Sequence, residues 1–118
     1  MEAYLIGITI RVDMDQQIYF EALNDPIRRR VLTMLLDAEE RCVCEMHGAL
    51  EASQPKVSRH LAVLREAGLV LARRDGVWMH YRIHPDLPAW AYRILLHMKD
   101  GMPPLAAAEA QTCAPCAA

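Results

Sequence analysis

Between residues 15 and 100 the chain is a succession of runs in which apolar side chains recur every three or four positions, separated by short polar breaks. That spacing gathers the apolar groups on one face of a helix. The first run, residues 15–23, carries Ile18, Tyr19 and Leu23 and predicts a short helix. Asn24-Asp25-Pro26 interrupts it and opens a second helix over residues 27–37. Asp25 can cap that helix, Pro26 suits its first position, and Ile27, Val31, Met34 and Leu35 form its stripe. Arg28-Arg29-Arg30 covers the other side, either reaching phosphates or forming a solvated face with salt bridges. Ala38-Glu39-Glu40-Arg41 is a polar connection. Residues 42–50 then predict a third, short helix with Val43, Met46 and Leu50 turned inward.

The pattern is sharpest from Ser53 to Val70. The Ser53 hydroxyl can accept from an orphan N–H of the first turn, and Pro55 falls where its missing N–H costs little. Val57, Leu61, Leu64 and Gly68 make the buried stripe, and Gly68 suits a left-handed stop. Two helices joined by a short turn at Glu51-Ala52 make a helix-turn-helix. Beyond Gly68 the period changes, and residues 69–74 and 77–83 read as strands. Asp75-Gly76 between them is a hairpin signal. Trp78 and Tyr81 are placed to anchor the hairpin to the core. A last helix runs from about residue 87 or 89 to 99, with Trp90, Ile94, Leu95 and Met98 giving more apolar surface than one face of a small domain needs. Together with the first helix it predicts a dimer interface. The expected fold is mainly α with a small β-hairpin: a winged helix-turn-helix, dimeric. It occupies residues 14–102, after a lead of unassigned role at 1–13 and before a flexible cysteine-containing tail at 103–118.

Composition adds one domain's worth of chain, 118 residues at 53% apolar, and a formal net charge of -2. The distribution of charge says more than the total. Residues 54–84 hold six Lys or Arg against two acids, whereas residues 1–51 hold ten acids and five arginines. A local basic face on an acidic body fits steering toward the phosphates of double-stranded DNA. Ser53, Gln54, Lys56, Ser58, Arg59 and His60 on the helix, with Arg73 and Arg74 on the hairpin, are the candidate DNA contacts. No nucleophile motif, phosphate loop or catalytic metal spacing points to an enzyme. The apolar run 5–10 is too short to span a bilayer and no cationic leader precedes it, so a cytoplasmic protein with no membrane partner is expected.

Four cysteines fall in two tight pairs, Cys42/Cys44 and Cys113/Cys116. In a reducing compartment such pairs favour soft-ion binding or redox sensing over structural disulfides. Residues i and i+2 of a regular helix do not face each other. Cys42 and Cys44 can therefore share an ion only at a frayed or unwound helix start. An ion that takes three sulfurs would find this pair one ligand short.

Asn24-Asp25-Pro26-Ile27-Arg28, Cys42-Val43-Cys44-Glu45, and Ser58-Arg59-His60-Leu61 followed by Leu64-Arg65-Glu66-Ala67-Gly68-Leu69-Val70 resemble the ArsR/SmtB family of bacterial metal-responsive repressors, its arsenic-responsive branch in particular. The resemblance covers roughly residues 15–100. It implies a homodimer that binds operator DNA and releases it when thiolates capture As(III) or Sb(III) as inducer. No catalytic cofactor is implied. The chain departs from that branch at His47, where a third cysteine is usual. The third ligand is then Cys113 or Cys116 folded back, or two thiolates suffice, or the tail pair is a site of its own. Cys42, Cys44, Cys113 and Cys116 together would suit Cd(II), Pb(II) or Zn(II), and the same scaffold could sense thiol oxidation instead. A winged-helix protein-interaction module without DNA binding fits the basic helix and hairpin less well. His97 and Asp100 are only a fragment of the zinc-type pattern of the last helix.

Overall fold

A computed structural model describes residues 14–103. Five helices and three strands follow one another: α1 (Gln16–Ala22), α2 (Pro26–Leu36), β1 (Arg41–Cys42), α3 (Val43–Leu50), α4 (Gln54–Glu66), β2 (Val70–Asp75), β3 (Trp78–Ile83) and α5 (Ala89–Asp100). The strands form one antiparallel sheet in the order β1-β3-β2. The lead at 1–13 and residues 104–118, with Cys113 and Cys116, lie outside the described residues.

Local chemistry sets the helix ends. Asp15 accepts from the Gln17 N–H, and Asp25 accepts from the N–H groups of Ile27 and Arg28 at 2.8 and 3.2 Å. Ser53 accepts from the Lys56 N–H at 3.3 Å, so the expected cap of α4 forms. At its other end Gly68 takes φ +88°. The Gly68 N–H reaches Arg65 O and the Leu69 N–H reaches Leu64 O, which is the Schellman pattern. Any residue with a Cβ would be strained there, so glycine sets where α4 stops and the hairpin begins.

Two boundaries differ from the sequence expectation. Residues 41–42 are not connection and helix start but a strand: Arg41 pairs with Tyr81 and Cys42 with His80 on β3. The helix consequently begins at Val43, with Cys42 as its extended N-cap. The hairpin turn is also one residue later than expected. Asp75 stays in the ladder opposite Trp78, leaving Gly76 and Val77 as the loop. Gly76 takes φ +65° at the first loop position, where two-residue hairpins favour glycine.

The core gathers Tyr19, Val31, Leu32, Met46, Val57, Leu61, Leu64, Leu69 and Leu95, all fully buried. Each fully buried aliphatic side chain contributes about 1.5–3 kcal/mol. The α4 stripe therefore holds this helix firmly against α2 and α3. Tyr19 pins α1 to α5: its hydroxyl donates to Ala91 O at 2.6 Å and its ring meets Trp90 edge-on at 5.0 Å. Burial raises the Tyr19 pKa, which keeps that donor protonated. The triple arginine stitches backbone. Arg28 donates to Ala22 O and Glu21 O, Arg29 to Leu23 O and Arg30 to Pro103 O. Ile18 and Phe20 on α1, and Tyr92 and Leu96 on α5, remain between 40% and 49% exposed.

Candidate functional site

The polar end of α4 presents the sequence-predicted side chains unequally. Ser53, Gln54, Lys56 and Arg59 are exposed and Ser58 is half-buried. The turn that aims them passes through Glu51, whose φ of 56° is the one left-handed non-glycine conformation among the described residues. The Ala52 N–H closes that turn on His47 O at 3.2 Å.

His60 points inward, toward the start of α2. Its Nδ1 stands 3.1 Å from Arg28 Nη1 and its Nε2 3.7 Å from Asp25 Oδ1. The guanidinium can only donate, so Nδ1 must accept and the ring proton sits on Nε2, facing the carboxylate. Burial lowers the His60 pKa, and the charges of Arg28, Lys56 and Arg59 add to this against the opposing pull of Asp25. Both effects keep the ring neutral, as the Arg28 contact requires. Burial pushes the Asp25 carboxyl up, but the N–H groups of Arg28 and Ile27 and the charges of His60 and Arg28 outweigh it and hold the pKa down. His60 thus ties the reading helix to α2, a role that its place in the Ser58-Arg59-His60 run did not disclose.

On the wing, Arg73 and Arg74 are both exposed. Arg73 forms a two-pronged pair with Glu40, Nε to Oε2 at 2.9 Å and Nη2 to Oε1 at 2.8 Å. The Arg73 hydrogen bond holds the Glu40 carboxyl below the usual range, and the Arg73 pKa is raised in turn. A phosphate that recruits Arg73 must take it from Glu40, two residues before Cys42. Nothing in the local sequence signals a pair separated by 33 positions.

Cys42 and Cys44 converge. Their sulfurs lie 2.8 Å apart, and both residues are buried. The i, i+2 spacing allows this because Cys42 is extended, at φ -91° and ψ 160°, while Cys44 is already helical. The carboxylate of Glu45 accepts from the Cys42 N–H at 2.9 Å, fixing the backbone of the corner. His47, at the place of the third cysteine, turns its Nδ1 to Ala52 O at 3.2 Å. Among the described residues no three or more His, Cys, Asp or Glu side chains gather as a metal cage. The pair also borders a pocket of about 190 Å³. It is lined by Cys42, Val43 and Cys44, by Gln54 and Ser58 of α4, and by Val77, Trp78, Met79 and Tyr81 of the hairpin. The thiols, the reading helix and the wing therefore meet at one place. No helix among the described residues is long and apolar enough to cross a membrane.

Comparison with known proteins adds to this geometry. Residues 25–71 match the family model described as bacterial regulatory protein, arsR family. The chain is 48% identical over 94 residues to the arsenic resistance transcriptional regulator ArsR1 of Pseudomonas putida, covering 80% of this chain and 73% of that one. It is 50% identical over 76 residues to the arsenical resistance operon repressor of Escherichia coli, covering 64% of this chain and 65% of that one. Among solved structures, a homodimeric winged helix-turn-helix DNA-binding domain from Mycobacterium bovis superposes with a TM-score of 0.61 at 27% identity, over 72% of this chain and 75% of that one.

Proposed function

Because this chain belongs to the bacterial arsR family of regulatory proteins, we propose that it represses transcription as a homodimer on a two-fold operator and lets go when its thiolates bind As(III) or Sb(III). Its relatives are repressors, and the chain is a regulator, not an enzyme. The observation that carries the proposal is the convergence of Cys42 and Cys44 at the corner where β1 becomes α3. Cys42 is in the sheet with β3 of the wing, and Cys44 sits on the helix that precedes α4. An ion gripped by both sulfurs fixes a strand end and a helix start relative to each other. Its geometric demand falls on the wing and the reading helix together. Cys113 or Cys116 supplies the third sulfur that inorganic As(III) requires.

Lys56, Arg59 and Arg74 hold phosphates, Ser53, Gln54 and Ser58 read or position at the major groove, and Arg73 joins them after leaving Glu40. Two copies of α4 then lie about 34 Å apart along the duplex. The homodimeric relative and the exposed apolar residues of α1 and α5 support the dimer. A hundredfold loss of DNA affinity on induction corresponds to a coupling of about 2.7 kcal/mol, within the usual allosteric range.

The test is release of a fluorescent duplex, selected from a random pool, on titration with arsenite. Cys42→Ser should abolish release while DNA still binds. Cys113→Ser with Cys116→Ser should weaken the response and leave part of it. Sedimentation of the same preparations should give a dimer at micromolar concentration. Release by the Cys42 variant but not by the tail variant would move the sensing site to the tail, and a monomer would remove the two-fold operator.

A further inference from the structure

We infer that Glu40 is the residue through which the thiol corner controls the wing: it withholds Arg73 from DNA phosphate, and a metalloid held at Cys42 tightens that hold. The inference rests on the reading of Cys42 and Cys44 as the sensing pair and names how their state reaches the DNA-binding surface. Across the sheet, His80 of β3 stands opposite Cys42 of β1 on one side and Arg73 of β2 on the other. Cross-strand neighbours share a sheet face, and so do residues two apart along extended backbone. Glu40, two positions before Cys42, comes back to the face that carries Cys42, His80 and Arg73. From there it reaches over the central strand and grips Arg73 at 2.8 and 2.9 Å.

That grip joins the two edges of the sheet, whose strand order is β1-β3-β2. β1 meets β3 in two residue pairs, whereas β2 meets it in six, so β1 is the lightly anchored edge. The fork of N–H donors on an arginine serves a carboxylate or a phosphate in the same two-pronged way. Nε and Nη2 of Arg73 are both taken by Glu40, so DNA and Glu40 compete for one fork. An exposed ion pair is weak partly because both side chains must be held in one geometry. An ion gripped by Cys42 and Cys44 fixes the end of β1, and the backbone of Glu40 is fixed with it. Less ordering then remains to be done when Glu40 takes Arg73, so the pair is tighter in the metalloid form and DNA loses a phosphate contact. By reciprocity, DNA that captures Arg73 frees the strand and weakens metalloid binding by the same factor.

The test is the ratio of duplex affinities without and with saturating arsenite, measured on the full chain by fluorescence anisotropy. An exposed ion pair changes an equilibrium constant by up to about fivefold, so Glu40→Gln should shrink that ratio by about threefold. Glu40→Asp keeps the charge and should retain more of the ratio than Glu40→Gln. Glu39→Gln, the same loss of charge at the exposed position before it, should leave the ratio as in the parent chain. Arg73→Ala should shrink the ratio as Glu40→Gln does, and the two together should shrink it no further, because the pair is already broken. A parental ratio in Glu40→Gln, an equal loss in Glu39→Gln, or a full effect of Glu40→Gln on the Arg73→Ala background overturns the inference and leaves the sensing pair standing. A parent chain that arsenite does not release overturns the inference and the sensing pair together.

Discussion

The two sides of α4 are held in opposite ways. Toward α2, the helix is fixed by the fully buried Val57, Leu61 and Leu64 and by the His60–Arg28–Asp25 cluster, in which every polar contact lies within 3.7 Å. Toward the wing, α4 borders a pocket through Gln54 and Ser58, and beyond it the sheet holds a two-residue strand and a surface ion pair. Packed interiors shift between discrete arrangements only where something is left loose. The comparison therefore separates a fully packed side of α4 from a side that borders a pocket and the cysteine corner. The same asymmetry says where substitutions should act on affinity and where they should act on response.

The largest effect on the reading side should come from its outward cations. Replacing Lys56 and Arg59 together with alanine should weaken DNA binding by tenfold or more. It should also lower the slope of log affinity against log salt by about two. Release by arsenite should still occur, because neither side chain borders the thiol corner. Fluorescence anisotropy at several salt concentrations measures both quantities. An unchanged slope would mean that α4 does not face the phosphates.

Much of the reader was legible in the sequence, and much less of the sensor's setting. The caps Asp25 and Ser53, the stripe Val57, Leu61 and Leu64, and the stop at Gly68 are local, so composition and spacing determine them. The constraint on the thiol pair was also legible: residues two apart meet only if one of them leaves the helix, and Cys42 does. The strand that holds it was not. Arg41 and Cys42 are too few for a period-two pattern, and their pairing with Tyr81 and His80 depends on where β3 lies. For the same reason the partners of Arg73 and His60, which are Glu40 for the one and Arg28 and Asp25 for the other, could not be read from the local sequence.

A middling effect should follow from releasing the wing. Glu40→Gln removes the charge that competes with phosphate for Arg73, and it removes an acid from the DNA-facing side. The pair is solvent-exposed, and exposed pairs are worth little to folding. Stability should hardly change, while DNA affinity should rise about threefold and the salt slope steepen by about one ion. Arg73→Ala should move both quantities the other way. If Glu40→Gln left affinity and slope unaltered, Arg73 would be a clamp on the sensor strand and not a DNA contact.

The smallest effect should be found on the rigid side, as a pH dependence of stability. His60 has its pKa lowered from 6.5 in the fold. The unfolded chain therefore takes up the proton first, and stability falls as pH drops through 6.5 toward the lowered folded value, below which the loss is complete. Asp25 is lowered from 3.8, so its contribution is present above that value and is lost as pH falls through the folded one. The two losses set in at different pH, one below about 6.5 and the other below about 3.8, which makes them separable. His60→Gln keeps an oxygen that can accept from Arg28 but cannot titrate. It should flatten the fall in melting temperature between pH 7 and 5, an effect on the order of a few °C for a domain of this size. The steeper loss at lower pH should persist. Melting curves at half-unit intervals of pH measure this. A His60→Gln chain that loses stability between pH 7 and 5 as steeply as the original would place the titrating group elsewhere and release His60 from its tie to α2.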